Sequence, residues 1–170
     1  MDERGRRVLF LLLFAVALFQ TGVHASQAFI NYPAWRFISA ESFPAYHQDM
    51  TPRAGRWGLL PRLVELLLGV AVLRFRPAPL RRGPILLALV LALVALISTI
   101  AIQRPIHVQL ESLGNRPELL ARLQETNWLR LLPEWARAAL YLWMASVLTL
   151  ATPVIREGEA KSRPSDDAEI

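Results

Sequence analysis

The chain has 170 residues, is 54% hydrophobic, contains no cysteine and carries a formal net charge of +5. The lack of thiols excludes a disulfide framework and any thiol–disulfide chemistry by the protein's own residues. The positive charge does not point to nucleic acid, because the arginines stand at the ends of apolar runs rather than along one soluble face.

Four separated runs, at about 8–24, 57–73, 84–102 and 131–155, approach the roughly 17–25 residues that cross a hydrocarbon core at about 1.5 Å per residue. They predict an all-α integral membrane four-helix bundle over residues 1–155, with short interfacial helices in the two outer loops. The first run comes after Arg4, Arg6 and Arg7. It is cut short by Gln20 and Thr21, and Val23-His24-Ala25 also reads as a cleavage site, so removal as a signal peptide would leave three spans.

The loop at 25–56 is rich in aromatics: Tyr32, Trp35, Phe37, Phe43 and Tyr46 suit a membrane interface. Ser39 as N-cap with Glu41 in the first turn predicts a short helix near 40–50, in which Phe43, His47 and Met50 share a face. Span two holds Arg62 and Glu65 at neighbouring positions of one face. Arg62 is expected to snorkel outward, while Arg137 pairs with Glu134 or Glu65. Arg74, Arg76, Arg81 and Arg82 fill the short second loop, and span three has no charge.

In the second outer loop, 103–130, Pro105 reads as a helix-ending residue just before His107. Asn115 with Glu118 resembles a capping box, giving a helix from about 116 that Pro133 kinks or restarts. Asn127, Arg130, Glu134, Arg137 and Tyr141 then fall at spacings of three and four, one continuous stripe along span four. Residues 156–170 are polar and aperiodic, a disordered tail. The short-loop basic excess puts both termini in the cytoplasm, with the chain multi-pass in the cell (plasma or inner) membrane. No internal repeat or phosphate-binding glycine loop stands out, and without paired repeats or broken helices a transporter is disfavoured.

All three histidines, His24, His47 and His107, map to the outer side. Together with the buried charges they make either a small polar pocket under the outer mouth or a set of structural pairs. No H-x-x-x-H or E-x-x-H pattern is present, and His107 with Glu111 is the nearest approach to a ligand pair. No metal and no cofactor are expected.

The segments Y32-P-A-W-R, F43-P-A-Y-H47, P105-I-H107-x-x-L110 and T126-N-W-L-R130 resemble a group of small bacterial four-span membrane proteins. They are also similar to the wider DUF1772 group, to which the fungal anthrone oxygenases belong. Pro105, Leu110, Asn127 and Arg130 match the P-x-N-x-x-L and N-x-x-R motifs of that group, while His107 stands where it has asparagine. The resemblance implies a four-span fold and dioxygen-dependent oxidation of a polycyclic phenol without an added cofactor.

Two functions suit these residues. One is an oxygenase- or isomerase-like enzyme acting on an apolar, ring-containing molecule at the outer side of the bilayer. His107 or His47 would accept the proton, and Arg130 with Asn127 would stabilise and orient an oxyanion. Its pocket would draw on Trp35, Tyr46, Glu65, Trp128, Glu134, Arg137 and Tyr141. The other is a non-catalytic bundle that binds membrane lipid or a partner membrane protein.

Overall fold

The computed structural model describes residues 1–150, and among these every regular element is helical. Helix α1 (Glu3–Ser26) opens on Asp2, whose carboxylate accepts the Gly5 N–H at 3.0 Å. It runs on through a π-helical turn (Gln27–Asn31), the short α2 (Tyr32–Ala34) and a 3-10 turn (Trp35–Phe37). Helix α3 spans Phe43–Arg74. Helix α4 (Arg82–Ser98) also continues through a π-helical turn, Thr99–Gln103, into α5 (Arg104–Leu113), and α6 spans Pro117–Leu150. The end of span four at 151–155 and the tail at 156–170 lie outside the described residues.

Helix α1 packs on α3 and α6, and α4 packs on the same two, so α3 and α6 occupy opposite corners of the bundle. Leu131 aside, the buried positions of α6 step by three and four from Leu120 through Leu123, Asn127, Arg130, Glu134, Arg137, Tyr141 and Met144 to Leu148. This is the spacing of a left-handed knobs-into-holes seam. Phe10, Leu13, Ala17, Gln20 and His24 repeat it on α1.

The lower end of the bundle, which holds the N-terminus, is filled by Phe10, Leu13, Ala17, Val72, Ile85, Ala88 and Met144. The opposite, upper end is filled by Tyr32, Trp35, Phe43, Ile106, Leu110, Leu120 and Leu123. Between these apolar cores the interior is polar. Outside, the order is reversed: Leu12, Leu67, Leu87, Ile97, Leu132 and Leu142 are exposed, while Arg62, Glu65, Glu134 and Arg137 are buried. Two helical stretches, Glu3–Phe37 and Arg82–Leu113, are long and apolar enough to cross a membrane.

An internal repeat is present, contrary to the reading of the sequence. A shift of 72 positions carries Ser26 onto Ser98, the turn Gln27–Asn31 onto Thr99–Gln103, Pro33 onto Pro105 and Pro61 onto Pro133. It also lays L59-L-P-R-L-V-E65 over L131-L-P-E-W-A-R137, with the two charges exchanged. The buried positions Arg62, Glu65, Gly69 and Val72 land on the buried Glu134, Arg137, Tyr141 and Met144. The repeated units run in the same direction, a parallel repeat, which removes the absence of repeats as a ground against a transporter.

The loops are more helical than expected. The segment 40–50 is the first part of α3, not a separate helix; Ser39 does not cap it, because the helix starts at Phe43 after a turn in which Ser42 N–H bonds Ser39 Oγ at 3.3 Å. Pro105 does not end a helix. It occupies the first turn of α5, where its missing N–H costs nothing. Asn115 does not form the capping box: its amide donates to Trp35 O at 3.0 Å and Ile38 O at 2.7 Å, tying the upper turns together. Helix α6 passes Pro133 without restarting.

Candidate functional site

The interior polar residues form two layers on the α6 stripe. In the lower layer Arg62 bridges Glu65 and Glu134, and Arg137 bridges the same two carboxylates. The result is a closed, net-neutral square in which each half of the repeat supplies one arginine and one glutamate. All four side chains are buried. Arg137 Nε faces Glu65 Oε1 at 2.9 Å but without hydrogen-bond alignment, and Arg137 Nη2 reaches Ala17 O at 3.4 Å. His24 on α1 completes the layer, its Nδ1 lying 3.0 Å from Glu134 Oε1. One turn along α1, towards the N-terminus, Gln20 donates to Gly58 O at 2.7 Å, beside the loosened carbonyl row ahead of Pro61. Tyr141 lies under the square, against Phe10 at 6.2 Å between ring centres.

The upper layer is a relay of hydrogen bonds. Thr51 Oγ1 contacts His47 Nδ1 at 3.2 Å, His47 Nε2 meets His107 Nδ1 at 3.1 Å, and His107 Nε2 meets the Tyr32 hydroxyl at 3.3 Å. Arg130 Nη2 donates to that hydroxyl at 3.3 Å and also to Asn127 Oδ1. Trp35 packs edge-on against both imidazoles, at 5.3 Å from His47 and 5.8 Å from His107. Burial pushes the His47 pKa under its usual value of 6.5. Glu111 opposes that shift, but its carboxylate is 3.6 Å from Nδ1, too far for a hydrogen bond.

Two donors here have no acceptor: Trp35 Nε1 and Arg130 Nε, each buried in a residue at most 4% exposed. A buried unpaired donor costs about 1–3 kcal/mol. Both belong to side chains that flank Tyr32, whose ring lies 5.0 Å from that of Trp35. Among the described residues no three His, Asp or Glu groups are placed to hold a metal ion.

His47, His107, Asn127, Arg130 and Trp35 are thus brought into one cluster. Glu65, Glu134 and Arg137 belong to the square beneath it, with Tyr141 lower still. Tyr46 and Trp128 are part of neither layer: they are 41% and 44% exposed, and Trp128 packs edge-on against Phe29 and Trp135 on the outside. Arg62 does not snorkel outward. Sequence reasoning misses Tyr32, Thr51 and Arg62 as site residues, and it groups His24 with the other two histidines without a partner of its own. His24 continues the three–four spacing of α1, and Arg62 is the repeat partner of Glu134; those two signals locate them. For Tyr32 the π-helical turn removes any simple spacing. No family model matches the chain, and no curated protein or solved structure matches it either.

Proposed function

We propose that the chain is a four-span membrane protein of the cell membrane, with both termini cytoplasmic, whose upper layer is an acid–base centre for an apolar, ring-containing molecule. The reversed polarity of the bundle supports the membrane reading. Exposed leucines on all four long helices, over a buried charged interior, would precipitate in water but suit acyl chains. The basic residues at 4–7, 74–82 and 156–163 set the orientation. Reporter fusions at residue 78 and at the C-terminus should both read as cytoplasmic, and a periplasmic reading at either would overturn it.

The pair of unpartnered donors beside the His47–His107–Tyr32 relay carries the chemical reading. A phenol or enolisable ketone whose oxygen met Trp35 Nε1 and Arg130 Nε would satisfy both. His107 would take its proton, His47 would pass charge towards Thr51 and the upper mouth, and Arg130 held by Asn127 would stabilise the resulting oxyanion. Either an isomerisation or an oxygenation with dioxygen as oxidant would start from that anion. The resemblance to the DUF1772 group points to the second.

The mutual hydrogen bonds of His47, His107, Tyr32 and Arg130 favour a second reading, in which they hold together a non-catalytic bundle that binds lipid or a partner. Mass spectrometry of small molecules retained by the purified protein separates the two. The enzyme reading expects a ring-containing compound, lost in His107→Ala while the melting temperature stays within a few degrees. Retention of lipid alone, unchanged by His107→Ala, establishes the non-catalytic bundle.

A further inference from the structure

Near the lower end an open groove of about 410 Å³ separates α3 from α4, lined by Val70, Leu73, Arg74, Arg82 and Leu86. Just over it the two helices touch closely: a Cβ placed on Gly69 would lie 2.5 Å from a Leu89 methyl. Beneath that contact they part, leaving apolar walls with a guanidinium on either side.

The repeat shows that the fold does not require this arrangement. The equivalent interface, between α6 and α1, places Ser146 where Arg74 stands, Phe10 for Arg82 and Phe14 for Leu86. There Phe10 is fully buried and meets Tyr141 of α6 edge-on at 6.2 Å between ring centres, so aromatic side chains fill that interface. Only the α3–α4 copy is open and basic. Both arginines are exposed, and neither is paired with a carboxylate among the described residues. Glu3, at the same end, is engaged by Arg7 at 3.6 Å and by the Ala78 N–H.

We propose that this groove binds an anionic glycerophospholipid of the cytoplasmic leaflet. Its phosphodiester would sit between the Arg74 and Arg82 guanidiniums, which match phosphate geometry with paired N–H donors. One acyl chain would lie along Val70, Leu73 and Leu86. Two adjacent cations repel the ammonium of a zwitterionic headgroup, so the groove selects lipids with net negative charge. The inference rests on the four-span reading and is independent of the acid–base centre.

The test is native mass spectrometry of the full chain in detergent, titrated with phosphatidylglycerol or phosphatidylcholine. The wild type should prefer phosphatidylglycerol by roughly tenfold, about 1.4 kcal/mol. Arg74→Gln/Arg82→Gln should lose that preference, and Arg53→Gln/Arg56→Gln, at the opposite end, should keep it. Leu73→Trp fills the groove without changing charge and should also weaken binding, which decides the matter if the double variant does not fold. Equal affinity for the two lipids, loss in the opposite-end control, or displacement by inorganic phosphate at matched ionic strength overturns the assignment. A chain that stays soluble without detergent and retains neither lipid overturns the four-span reading itself.

Discussion

Glu134 is the residue on which most of the interior depends. It receives Arg62, Arg137 and His24, from three different helices, and has no exposure to solvent. Removing one member of a buried ionic cluster leaves its partners as uncompensated charges, a cost of about 3–5 kcal/mol. Glu134→Ala should therefore lower the thermal midpoint in detergent more than Glu65→Ala, because Glu65 meets only the two arginines. Equal losses in the two variants would show that His24 adds nothing. Some of this was legible in the sequence. Arg137 lies deep in an apolar run, so it needed a carboxylate, and Glu134 at three positions' distance and Glu65 on span two were the available ones. The destination of Arg62 was not legible, because spacing on one helix does not say which other helix lies diagonally across the bundle. Thr51 was hidden for the same reason: its relay partner His47 is one turn away, but the direction of both depends on α5.

Among the elements, the two π-helical turns decide where the upper layer forms. On α1 the buried series Phe10, Leu13, Ala17, Gln20, His24 resumes at Tyr32, one residue later than a seven-residue repeat allows. On α4 the buried series Ala88, Ala92, Ala95, Ser98 resumes at Gln103, after a step of five through the second π-helical turn. Each turn holds one extra residue and re-phases the helix, bringing Tyr32 and Trp35 inward on one side and Gln103 on the other. Gln103 then accepts from Ser98 Oγ at 3.2 Å and donates to Thr126 O at 3.1 Å, which fixes the second turn to α6. Hydrophobic periodicity shows where helices run but passes over a single inserted residue, so proline and polar residues near 31–33 and 103–105 read as loop. Deleting the exposed Ile30 should restore a plain α-helix and swing Tyr32 and Trp35 about its axis by about 100°. In NMR spectra the His47 and His107 imidazole signals should then move while that of His24 stays. A shift of His24 as well would mean that the two layers are not independent.

At the scale of the whole molecule, the bundle is two similar helical hairpins related by a near two-fold axis along the helices, and the charged square sits on that axis. The exchange of charge between L59-L-P-R-L-V-E65 and L131-L-P-E-W-A-R137 is what makes the square close. Two identical copies would set arginine beside arginine, at 62 and 134, and glutamate beside glutamate, at 65 and 137, along two sides of the square. The alternating arrangement gives each charge two opposite neighbours, and no face of the square meets a like charge. The repeat was hard to see in the sequence for that very reason: the positions that matter most differ in sign, and the rest are interchangeable leucines. This geometry makes a specific demand. Arg62→Glu alone places three carboxylates around one arginine and should abolish the folded protein. Exchanging all four, Arg62→Glu, Glu65→Arg, Glu134→Arg and Arg137→Glu, rebuilds the square as its own two-fold image. The quadruple variant should recover most of the folded yield, falling short by roughly the 1–3 kcal/mol of a buried polar group left without its partner, since His24 would then face an arginine. Adding His24→Glu should restore an acceptor there and recover part of that shortfall. A quadruple variant no better than Arg62→Glu, measured by detergent-resistant yield and thermal midpoint, would show that the two halves are not equivalent in the folded bundle.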